Sequence, residues 1–114
     1  MQMAFYCDLY FSEELKHKKE KVIQKLNTNS AQPSIYIITL AQGMQNHLEF
    51  YSSLLLKQHF YEDTPLFAVG IARGYDGALY LTEHIVKEIY EKAQDTDIRS
   101  FIVNRQKEYE EGRV

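Results

Sequence analysis

"HLEFYSSLLLKQHF", His47–Phe60, is the stretch whose reading decides the fold. Met44, Leu48, Tyr51 and Leu55 recur at steps of four, three and four, with Phe50 and Leu54 beside them, which predicts an amphipathic helix. A short apolar run lies on either side, "SIYIITLA" (34–41) before it and "PLFAVGIA" (65–72) after it. Ile35 to Leu40 are nearly all β-branched or aromatic without alternation, the pattern of a strand buried on both faces. A helix between two such strands reads as a parallel crossover unit. A further helix, "DGALYLTEHIVKEIYEKA" (76–93), follows, with Ala78, Leu81, Ile85, Ile89 and Ala93 at steps of three and four.

The expected fold class is therefore α/β: a small β-α-β-α core with parallel strands, an N-terminal helix and a C-terminal helix, forming one domain over residues 1–114. An internal echo supports the repeat. Leu40-Ala41-Gln42-Gly43 and Ile71-Ala72-Arg73-Gly74 both close an apolar run, and Leu48 then corresponds to Leu79. The offset suits one strand plus one crossover helix, although shared fold constraints explain it without duplication.

Outward from this core, "SEELKHKKEKVIQKLN" (12–27) predicts the first helix, with Ser12 as its cap and Leu15, Val22, Ile23 and Leu26 near one face. "AFYCDLY" (4–10) before it suits an edge strand or an extended arm. The tail "DIRSFIVNRQKEYEEG" (97–112) admits two readings. Asp97 caps a helix carrying Ile98, Phe101, Ile102 and Arg105, whereas "SFIV" also fits a third parallel strand.

Composition excludes several functions. A net charge of −3 argues against a general nucleic-acid binder, and the lysine-rich run "KHKKEK" (16–21) reads as the solvated face of its helix. The single cysteine, Cys7, allows neither an intramolecular disulfide nor a thiolate cluster. The histidines are scattered, with no HExxH spacing, so no metal and no cofactor are expected. No apolar run is long enough to span a bilayer and no leader pattern opens the sequence, so the expected setting is cytoplasmic.

"GIARGYDGAL" (70–79) resembles a phosphate loop only in being glycine-rich. Its glycines fall at 70, 74 and 77, neither the dinucleotide-binding spacing nor a Gly-Lys-Ser/Thr loop. Each has a local use: Gly70 for close helix packing, Gly74 for positive φ at the strand exit, Gly77 in the first helical turn, with Asp76 as a helix cap. In a parallel sheet, however, both strand-exit loops share the carboxyl edge where ligands bind. The candidate ligand-binding residues are therefore Gln42, Gly43, Gln45, Asn46 and His47 from the first loop and Arg73, Gly74, Tyr75 and Asp76 from the second. Arg73 would grip a phosphate or carboxylate while backbone amides complete the cradle. No catalytic residue is indicated, because no nucleophile or acid–base pair stands out.

Nine tyrosines and six phenylalanines, several in adjacent pairs, exceed what one core-facing stripe can bury and suggest a partner surface. Four sets of residues, Asp8-Leu9-Tyr10 with Ser12-Glu13, Gly43-Met44-Gln45-Asn46 with Leu48-Glu49-Phe50, Val69-Gly70-Ile71-Ala72 with Gly74-Tyr75, and Asp97-Ile98-Arg99, carry a resemblance. Through them the chain resembles a family of short bacterial proteins with no assigned activity. The resemblance implies a bacterial cytoplasmic setting and no mechanism. The sequence thus favours a non-enzymatic interaction or regulatory module that self-associates or meets a protein partner. The alternative is a small-ligand, nucleotide or phosphate-binding domain.

Overall fold

The computed structural model describes residues 3–28, 32, 34–40, 48–54, 66–94 and 97–112. The chain forms β1 (Met3–Phe11), a short 3-10 turn (Glu13–Leu15), α1 (Lys19–Asn27), β2 (Ile35–Leu40), β3 (Leu48–Ser52), β4 (Leu66–Arg73), α2 (Tyr75–Ala93) and α3 (Ile98–Glu110). The strands make one mixed sheet in the order β1-β4-β2-β3. α/β is therefore the observed class.

The expected arrangement of its core is corrected. Residues Leu48–Ser52 are a strand, not the start of a helix, and pair antiparallel with β2, Ile38 opposite Phe50. The helical spacing of Leu48 and Tyr51 conceals a period-two pattern, Leu48 and Phe50 packing toward one core cluster while Tyr51 donates a hydrogen bond to Glu49. Residues 55–60 of the expected helix lie outside the described residues. Ser53 and Leu54, which follow β3, are helical, and β2 and β4 run antiparallel, Ile35 beside Arg73 and Thr39 beside Ala68. Parallel pairing does occur, between β4 and β1, and the N-terminal segment is thus a strand. The echo is sequence only, since Leu48 lies in β3 and Leu79 on α2.

Two layers of helix enclose the sheet. Ile38, Val69 and Ala72 pack with Leu81, Ile85 and Ile89 of α2 and with Ile98 and Ile102 of α3. On the opposite face Ile35, Ile37, Ala68 and Ile71 pack with Leu15, Val22 and Leu26 from the 3-10 turn and α1. Each isoleucine buried this way contributes on the order of 1.5–3 kcal/mol. The C-terminal segment is a helix, its first turn capped by Asp97, which accepts from the Ser100 amide at 3.1 Å. Arg105 of α3 pairs with Asp8 at 2.9 Å, and Gln106 accepts from the Cys7 amide at 2.7 Å, so α3 covers part of the outer edge of β1.

The expected first helix is split. Ser12 makes no side-chain cap; its Oγ instead accepts from the Arg73 amide at 3.1 Å, and its own amide donates to the Ile71 carbonyl at 3.0 Å. α1 begins only at Lys19. Among the described residues no helix is long and apolar enough to cross a membrane.

Gly70 follows an irregularity in β4: Ile38 faces Gly70 while Thr39 faces Ala68, leaving Val69 as the extra residue of a bulge. A Cβ on Gly70 would lie 3.2 Å from Ile85 Cδ1 and 3.3 Å from Ile38 Cδ1, so helix and sheet approach there more closely than most side chains permit. Gly70→Val is expected to destabilise the fold by about 1–3 kcal/mol through overpacking. Gly77→Ala, with open space around its Cβ position on α2, should instead stabilise by about 0.5–1 kcal/mol. Urea midpoints of the two variants against wild type check both signs.

Candidate basic cleft

At the carboxyl end of β4 the backbone is held on two sides. The Arg73 amide donates to Ser12 Oγ, and the Gly74 amide donates to the Ser34 carbonyl at 2.7 Å. Gly74 adopts φ 78°, the left-handed turn its lack of a side chain permits, and serves as the N-cap of α2. These bonds place Arg73 beside the amino end of β2 and across from α1.

A cleft of about 280 Å³ opens there. Its apolar lining is Leu15, Val22 and Ile35, all buried in the core on that face. Lys18, Lys21 and Lys25 line it from α1 and the residue preceding that helix, and Arg73 lines it from β4. Gln32 and Ser34 complete the rim. Gln32 is itself buried: its side-chain amide donates to the Val22 carbonyl at 3.5 Å and its backbone carbonyl accepts from Ser53 Oγ at 2.5 Å. These contacts tie α1 to the sheet, so the cleft is bounded by anchored elements.

The cleft reverses the charge of the chain. Among the described residues four cations and no carboxylate line it, although acidic side chains outnumber basic ones overall. Neighbouring lysines are engaged elsewhere: Lys16 pairs with Glu13 at 2.8 Å, and Lys19 Nζ stands 5.2 Å from the centroid of the Phe11 ring. Among the described residues none of Lys18, Lys21, Lys25 and Arg73 has a carboxylate partner. Clustered unpaired cations over an apolar floor raise the local concentration of anions. Arg73 brings a planar fork suited to two oxygens, and the lysines bring mobile point charges.

Of the sequence candidates among the described residues, Arg73 alone lines this cleft. The C-terminal ends of β2 and β4, Leu40 and Arg73, lie at opposite ends of their antiparallel ladder, which removes the premise for joining the two loops. Gln42, Gly43, Gln45, Asn46 and His47 lie outside the described residues. The Gly74 amide, expected to cradle an anion, is used by Ser34. Tyr75 packs edge-on against Phe50 and Tyr36, with ring centroids 5.5 and 6.2 Å away. Asp76 is in the first turn of α2, not its cap, and lines a separate cleft with Glu13, Glu14, Tyr80 and His84.

Lys18, Lys21 and Lys25 were missed as site residues, two of them lying inside the run read as a solvated face. Their spacing of three and four put them on one side of a helix, and that signal was present in the sequence. Among the described residues no group of three or more histidine, cysteine, aspartate or glutamate side chains is placed to hold a metal ion. Comparison of the chain with protein families, curated proteins and solved structures returns no match.

Near the second cleft, Tyr10 stacks edge-on to His84 at 6.4 Å, and burial, followed by its hydrogen bond to Glu88, pushes its hydroxyl pKa well above the usual tyrosine value. Burial raises Tyr6 and Cys7 likewise, with Asp8 adding to both. The native state thus holds the two phenolic protons after the unfolded chain, with its tyrosines near 10.0, has released them. Their contribution to stability is complete below pH 10 and is lost as pH rises beyond it. Tyr10→Phe should flatten the alkaline fall in stability relative to wild type; urea unfolding at a series of pH values from 8 to about 11 measures it.

Proposed function

We propose that this protein is a binding module for a small phosphate-bearing anion, held in the basic cleft by Arg73, Lys18, Lys21 and Lys25. The observation that carries the reading is that, among the described residues, four unpaired cations and no acid surround one cleft of an acidic chain. The anion would face Arg73 as the specific, two-pronged donor, with the lysines supplying field and additional hydrogen bonds. Leu15, Val22 and Ile35 beneath them lower the local polarity and strengthen each charge interaction. The reading retains Arg73 from the sequence analysis and replaces its companions. A bacterial cytoplasmic setting, rich in phosphate esters, accords with it.

Selective binding to the native state raises apparent stability by about 2.7 kcal/mol at a hundredfold excess over Kd. Wild type is expected to melt several degrees higher in millimolar pyrophosphate than in chloride of equal ionic strength. Arg73→Ala should weaken binding about tenfold or more, the loss of charge-assisted hydrogen bonds worth about 1.5–3 kcal/mol. A wild-type melting temperature indifferent to every phosphate compound defeats the reading.

A second reading, self-association, rests on α2. Tyr75, Leu79, Val86 and Tyr90 are 59%, 43%, 38% and 49% exposed, and at about 100° per residue they fall within an arc of roughly 60° on the side of the helix. The stripe is symmetric about the midpoint between Thr82 and Glu83, tyrosine matching tyrosine and Leu79 matching Val86. A patch that maps onto itself by reversal suits the twofold axis of an antiparallel homodimer. Asp76 and Lys87, flanking the stripe on one side, would then meet the partner's opposite charges. Sedimentation equilibrium is expected to show a dimer at high micromolar concentration and a folded monomer for Leu79→Glu; a monomeric wild type removes this reading.

A further inference from the structure

We infer that the cleft is built for a linear oligophosphate rather than a single phosphate group, an inference that rests on the anion-binding reading. The first ground is charge balance. One phosphate brings at most two negative charges at neutral pH, and gathering four cations on it would leave an excess positive charge and immobilise three lysine chains. Pyrophosphate or tripolyphosphate matches the four cations more closely.

The second ground is length. Lys18 and Lys25 are separated along α1 by about 10 Å at 1.5 Å per residue, with Lys21 between them on the same side. A row of cations this long presents successive donors to successive phosphates, whereas a single phosphate site concentrates its donors at one point. The third ground is the lining and volume. At about 280 Å³ the cleft has room for a chain of two or three phosphates. Among the described residues no aromatic side chain lines it, so none of them offers a base a stacking partner there. A free oligophosphate and the phosphate tail of a larger ester share the chemistry this cleft recognises.

Isothermal titration of the whole chain with inorganic phosphate, pyrophosphate, tripolyphosphate and adenosine triphosphate tests the inference, with citrate as a charge control. Affinity is expected to rise about tenfold or more from phosphate to pyrophosphate and again to tripolyphosphate, with citrate far weaker. Adenosine triphosphate binding within a few-fold of tripolyphosphate identifies the tail as what is bound; much weaker binding assigns the site to free oligophosphate. Lys18→Ala and Lys25→Ala, at the two ends of the row, should each weaken tripolyphosphate by about tenfold and phosphate by a markedly smaller factor. Equal affinity for phosphate and tripolyphosphate, or for citrate and tripolyphosphate, overturns the oligophosphate inference while leaving an anion site. Adenosine triphosphate far tighter than tripolyphosphate overturns it too, since the base would then carry recognition. No binding by any of them overturns both readings. Unchanged circular dichroism of both lysine variants excludes loss of fold as the cause.

Discussion

β4 has core on both of its faces and a strand on each of its edges, and the rest of the molecule is arranged around satisfying it. Val69 faces α2 and α3, Ile71 faces α1, and both are fully buried. A strand so enclosed can leave no backbone group unpaired, since an orphaned buried amide or carbonyl costs about 1–3 kcal/mol. β1 meets this demand from one side and β2 from the other, in opposite senses. Where β4 leaves the sheet the demand persists, and Ser12 and Ser34 meet it by accepting the Arg73 and Gly74 amides. The bulge at Val69 and the bare Gly70 are local consequences: two successive residues face α2, and only one can carry a side chain.

Local patterns in the sequence identified what was continuous and buried but not which way it ran. Ile35–Leu40 and Phe67–Ala72 read as two-faced strands because no charged residue interrupts them, and they are. α2 is legible from the steps between Ala78, Leu81, Ile85 and Ile89, and α3 from Asp97 and the residues it caps. Leu48–Ser52 satisfied both periods at once, because Leu48, Phe50 and Tyr51 are spaced to suit a helix face and a pleated edge alike. Only pairing with β2 distinguishes them, and pairing is a long-range property. Strand direction followed from that one segment, so the error spread to the sheet and to the loops thought to share an edge.

The same dependence governs how much of the site could be read. Arg73 was legible because it sits at a strand exit, and exits of parallel strands are where ligands gather; its parallel neighbour, however, is β1. The lysines of α1 were visible as a row but not as a wall, since a charged row on an isolated helix is most simply a solvated face. Their meaning depends on Arg73 and the amino end of β2 standing across from them. That juxtaposition is set by the hydrogen bonds of Ser12, Ser34 and Gln32, none of which has a sequence signature of its own.

The two surfaces this fold offers are compatible. The basic cleft belongs to the α1 face of the sheet and the apolar stripe to the side of α2 on the other face, so a second copy on α2 leaves the cleft open. They are nevertheless covalently close. Arg73 lines the cleft, Tyr75 begins the stripe, and between them Gly74 turns the chain from one face to the other in a conformation reserved for glycine. The 2.7 Å bond from its amide to Ser34 leaves that turn little freedom. An anion bound as proposed would therefore meet Arg73 one residue before the glycine that caps α2, and a second copy docked as proposed would meet Tyr75 one residue after it.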